Sequence, residues 1–114
     1  MIVSNQPENP GTTTITRPEE NIKAVLLPPY NVILLDDDHH SFDYVIEMLK
    51  ALFRMPVPKG MQHALEVNSS GRTILLTTTK EHAELKQEQI HSYGRDPRIP
   101  HCKGSMTAVI EPAN

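Results

Sequence analysis

Between Tyr30 and Asp38 the sequence reads YNVILLDDD, an apolar and β-branched block of strand length closed at once by three carboxylates. A run this short is read as a buried strand ending in a turn. Ser41 then offers a side chain that can cap a helix. Behind it Phe42, Val45, Ile46, Leu49, Leu52 and Phe53 recur at helical spacing, which predicts a first helix with one apolar face. That helix stops before Met55-Pro56-Val57-Pro58. Pro58 suits the first turn of a second helix through Met61, Leu65 and Val67, and Gly71 supplies a left-handed stop.

Arg72 to Thr78 is β-prone, and Thr79 before Lys80-Glu81-His82 is a helix start with acid in its first turn. This third helix ends near Tyr93-Gly94. A proline-rich connection leads to Met106–Glu111, a third strand. The order β-α-α-β-α-β in so short a chain predicts an α+β fold, a small three-stranded antiparallel-rich sheet with three helices on one face in a two-layer sandwich. Residues 1–28 mix Asn, Pro, Thr and Glu without either periodicity and are expected to be a disordered tail, leaving residues 29–114 as one domain. A chain of 114 residues has room for one modest core.

Charge and cysteine usage remove several functions. A formal net charge of -3 gives no general attraction for phosphate backbones or anionic lipid, so neither nucleic acid nor a membrane surface is an expected partner. Cys102 is the single cysteine, which rules out an intramolecular disulfide and a cysteine-built zinc cage. No signal peptide or membrane span is read, and a cytoplasmic monomer without cofactors is the expectation. Cys102 has no recognisable flanking signature and Ser41 sits in a cap context, so no enzyme is expected. Asp36-Asp37-Asp38-His39-His40 carries the donor types of a metal site. Neighbours in one loop seldom converge on one ion, and no HExxH helix supports it, so no metal is expected.

Tyr30–Asp38 followed by Phe42-Asp43-Tyr44-Val45-Ile46 resembles the signature region of ClpS adaptors, and the likeness runs in register from Tyr30 through Lys86 and resumes at Tyr93. The resemblance implies an adaptor that binds the N-terminal residue of proteins beginning with Leu, Phe, Tyr or Trp. It also implies docking on the N-terminal domain of a ClpA- or ClpC-like AAA+ unfoldase. Matched to the family pocket are Asp36, Asp37, Asp38, His40, Phe42, Val45, Ala64, Val67 and Asn68. Matched to unfoldase contacts are Glu81 and Lys86, and the N-terminal tail matches an extension engaged during handover. The pocket residue from the last strand is open between Met106 and a position nearer Cys102.

The chain departs from the family at four of these positions. Asp36 stands for an Asn, Asn68 for a histidine that contacts the bound amine, and Phe42 and Ala64 each for a methionine. Losing the imidazole contact costs on the order of 1 kcal/mol, and methylene-sized changes in a pocket wall shift discrimination by about 1 to 3 kcal/mol. A divergent relative that docks on the unfoldase without reading N-termini is the alternative. Taken without the resemblance, Phe42, Val45 and Val67 are ordinary core packing, and Glu81 and Lys86 a solvated helix face.

Overall fold

The computed structural model describes residues 27–37 and 39–113. The expected tail over residues 1–28 therefore lies almost wholly outside the described residues, as does Asp38. The order of elements is β1 Tyr30–Leu35, α1 Phe42–Phe53, α2 Val57–Ser70, β2 Arg72–Thr78, α3 Lys80–His91 and β3 Thr107–Pro112. The predicted α+β order is the one found, and the sheet is antiparallel throughout, with strand order β2-β1-β3.

The central place of β1 explains its unbroken apolar run. Val32, Ile33 and Leu34 are all fully buried, with Val32 and Leu34 in the core under the helices. Ile33 points to the opposite face, where it pairs with Ile74 and Val109. Arg72 and Glu111 belong to that same face and join across β1 at 2.9 Å, while Thr77 Oγ1 donates to Asn31 Oδ1 at 2.6 Å beside them. Between Val32 and Ile33 the partner on β2 steps from Leu76 to Ile74, so Leu75 is an extra residue. This bulge lets Leu75 and Leu76 both turn toward the core.

The helices begin and end where local chemistry dictates. Ser41 Oγ accepts the Tyr44 N–H at 3.1 Å, and Thr79 Oγ1 accepts the His82 N–H at 3.2 Å. The end of α1 is a left-handed Arg54 at φ 57°, and Lys86 of α3 donates to the orphan carbonyl of Leu52 at 2.6 Å. Gly60 lets α2 approach α1 closely, since a Cβ there would stand 3.4 Å from the Ile46 Cα. Gly71 closes α2 at φ 84°.

The apolar face of α1 differs from the sequence reading. Its buried residues are Tyr44, Val45, Met48 and Leu49, whereas Phe42 is 37% exposed. The stripe is turned because Tyr44 finds a partner for its hydroxyl in the Gly94 carbonyl, so an aromatic with a polar tip can be buried. On α2 the buried face is Gly60, His63, Ala64 and Val67, leaving Met61 and Leu65 toward solvent.

Candidate functional site

The acidic turn leaves β1 at the corner where α2 passes into β2. The Asp36 N–H donates to the Gly71 carbonyl at 3.0 Å, which ties the start of the turn to the C-terminal end of α2, in whose last turn Asn68 is exposed. Asp37 builds the turn itself. Its Oδ1 accepts the His39 N–H at 3.0 Å and lies 2.8 Å from His40 Nδ1. One oxygen of Asp37 is thus committed within the loop.

The turn is held from behind by the segment leading to β3. Asp96, fully buried, accepts both the N–H and the hydroxyl of Ser41 on Oδ2, at 2.8 and 2.7 Å. Its Oδ1 takes the Arg98 N–H at 3.0 Å and Nη1 at 3.3 Å, and Arg98 also pairs with Glu47 of α1. Burial opposes ionisation of Asp96, but the donors from Ser41 and Arg98 outweigh it and hold the carboxyl at about 2. Burial likewise pushes the Tyr44 phenol up to about 12. Gly94 N–H donates to Ser105 Oγ at 2.7 Å, closing the segment on itself.

His40, at a sequence-matched position, makes contacts the sequence did not signal. Its Nε2 lies 2.7 Å from the Gly104 carbonyl and 3.2 Å from Cys102 Sγ, and its ring meets Tyr44 with centroids 4.5 Å apart. Cysteine, imidazole and carboxylate here stand in the order of a nucleophile, a base and an orienting group. The thiol is nevertheless buried, accepts the Asp96 N–H at 3.2 Å and donates to the Gly104 carbonyl at 3.3 Å, so it is a packing element of the turn. Among the described residues no group of three or more His, Cys, Asp or Glu could hold a metal ion.

The apolar candidates divide. Val45, Ala64 and Val67 are buried within one core cluster, so the three share one environment between α1 and α2. Phe42 is partly exposed on the first turn of α1. Met106 belongs to the core cluster and Cys102 to the wall behind His40. Glu81 is exposed on α3, whereas Lys86 has its ammonium on the Leu52 carbonyl and 5.1 Å from the Phe53 ring centroid. Sequence reasoning missed His63 as well. Its Nδ1 lies 2.8 Å from Thr73 Oγ1, which donates to Glu66, while its buried Nε2 has no partner. Burial, aided by nearby Lys59 and opposed by Glu66, lowers its pKa, so the neutral ring donates from Nδ1.

The family model described as ATP-dependent Clp protease adaptor protein ClpS matches residues 27–100. The chain belongs to the ClpS family of Clp protease adaptors. Within that family, the ClpS of Vibrio cholerae is 37% identical over 83 residues, covering 71% of this chain and 78% of the relative. The ClpS of Salmonella arizonae is 34% identical over 84 residues, covering 72% and 79%. Among solved structures, that of Agrobacterium tumefaciens ClpS2 bound to L-phenylalaninamide aligns with a TM-score of 0.64 at 26% identity, over 75% of this chain and 96% of that one. The ClpS match stops at residue 100, so Cys102, Gly104 and β3 lie beyond it. Among the described residues of this ClpS-family chain, no helix is long and apolar enough to cross a membrane.

Proposed function

We propose that this chain captures the N-terminal residue of cytoplasmic proteins that begin with a bulky apolar side chain and delivers them to the N-terminal domain of a ClpA- or ClpC-like AAA+ unfoldase, without catalysis of its own. The observation that carries the reading is the likeness to the Agrobacterium tumefaciens structure bound to L-phenylalaninamide. That ligand has a free α-amine and a benzyl group, the two features of a protein that starts with Phe. On this chain, the Asp36 backbone is bonded to Gly71 at the end of the helix that carries Asn68, Phe42 is partly exposed at the start of α1, and Val45, Ala64 and Val67 are buried in one core cluster on α1 and α2. Asp38, matched to the same pocket, falls outside the described residues.

A charge-assisted hydrogen bond to the α-ammonium contributes about 1.5 to 3 kcal/mol, and burial of a Leu- or Phe-sized side chain contributes about as much again. A few such contacts reach micromolar affinity, about -8 kcal/mol. Docking is assigned to α3 through exposed Glu81 and half-buried Lys86. Because Lys86 also closes the end of α1, its substitution disturbs the fold as well as the contact.

The test is titration of fluorescent peptides that begin with Leu, Phe, Tyr or Trp, each beside an N-acetylated copy. Saturable, micromolar binding that acetylation abolishes is the expected result. The commitment of Asp37 Oδ1 to the turn, together with Asn68 in place of a histidine, favours a second reading, a regulator that occupies the unfoldase without reading N-termini. Binding to the unfoldase domain with no peptide binding would select that one.

A further inference from the structure

His40 is the side chain through which the acidic turn meets the segment ahead of β3. Its side chain is 3% exposed, sealed by the Tyr44 ring, so it stands behind the turn and not at its surface. Nδ1 faces Asp37 Oδ1 at 2.8 Å and Nε2 faces the Gly104 carbonyl at 2.7 Å. A carboxylate and a backbone carbonyl only accept hydrogen bonds. A neutral imidazole has one N–H and would turn a lone pair on one of these oxygens. The ring with a proton on each nitrogen donates to both.

We propose that His40 is a positioning residue for N-terminal capture, a doubly protonated clamp that ties Asp37 to Gly104 and so holds the acidic turn in the shape that receives an α-ammonium. The inference rests on the reading given under Proposed function. It joins a position within the family match to Gly104, which lies past its end at residue 100. The groups that face the ring are Asp37 from the turn, Tyr44 from α1, and the Cys102 thiol and Gly104 carbonyl from the segment before β3. Asp37 is the charged one among them. When the ring loses a proton, one end of the clamp opens: either Asp37 is no longer tied, or the Gly104 carbonyl faces a lone pair. The turn then keeps its ties to Gly71 and Asp96 and the His39 N–H on Asp37, but no longer the ring that couples Asp37 to Gly104.

The experiment measures the affinity of the full chain for a fluorescent peptide starting with Phe, and for its N-acetylated copy, at pH 6 and pH 8, in the wild type and in His40→Gln. Dividing wild-type affinity by that of the variant cancels the titration of the peptide's own amine. Hydrogen bonds to charged groups of this kind set the expected ratio at about tenfold at pH 6, shrinking to about twofold at pH 8, where the lower proton concentration works against double protonation of the ring. A ratio that is the same at both pH values overturns the clamp while leaving N-terminal recognition standing. Wild-type protein that fails to distinguish the free peptide from its acetylated copy overturns both. Imidazole nitrogen NMR of the wild type needs no variant to fold: two protonated ring nitrogens on His40 at pH 6 are expected, and one bare nitrogen there refutes the proposal.

Discussion

Asp96→Asn is the substitution that most directly tests how the acidic turn is held. The carboxylate is fully buried and takes four donors, two from Ser41 and two from Arg98. Its pKa falls from 3.8 to about 2 in the fold, and at 1.36 kcal/mol per pH unit the difference is about 2 kcal/mol. Asp96 itself has no exposure, but the Arg98 side chain is 38% exposed and solvent screens its share, so about 2 kcal/mol is an upper figure. Because the folded value is the lower one, this stability is present above pH 3.8 and is lost as pH falls toward 2. The amide keeps one acceptor for Ser41 but turns an NH2 group into a pocket built of donors. Urea unfolding at pH 7 should therefore show the variant less stable by about 2 to 3 kcal/mol. The gap should narrow as both proteins are taken below pH 3. A variant within about 0.5 kcal/mol of the wild type at pH 7, the scatter of an ordinary surface change, would refute the claim that these four bonds hold the turn.

Two further substitutions probe the fold around the site. His63→Leu removes a buried nitrogen without a partner and should stabilise the protein by about 1 kcal/mol at pH 7. Since the folded pKa of His63 lies below 6.5, the wild type loses stability as pH falls from 6.5 through the folded value, whereas the variant should not; equal losses between pH 7 and pH 5 in urea titrations would contradict the assignment. Gly71→Ala forces a Cβ into φ 84° and should cost about 1 kcal/mol in the same assay, with no loss if the corner can relax.

Much of the fold was legible because its signals are local. Ser41, Thr79 and Gly71 mark helix ends through bonds made within a few residues, and the strand from Arg72 to Thr78 is found where its composition puts it. The face of α1 was not legible. Tyr44 is buried in preference to Phe42 because of the Gly94 carbonyl, 50 residues away, which no periodicity encodes. The candidate site divides in the same way. Asp36, Asp37 and His40 are conspicuous as a polar run after a strand. Cys102 and Gly104, the partners of His40, and Asp96, which holds Ser41, lie in a connection whose prolines and glycines signal a loop and nothing about what it touches. His63 was hidden because its relay through Thr73 to Glu66 joins a helix to the following strand, and a lone histidine in a helix carries no mark of its neighbours.

At the outer border of β3, the Ala108 N–H is taken by His91 Nε2 at 3.0 Å and its carbonyl by the Gln87 side-chain amide, also at 3.0 Å. A strand margin with free amides is a template onto which any extended polypeptide can be laid, whatever its sequence. With α3 occupying the middle of that margin, stray chains find no ladder to join there. Under the proposed function, in which the cargo is the beginning of a chain, such blunting leaves selection to what distinguishes a first residue, and not to the backbone that every polypeptide shares.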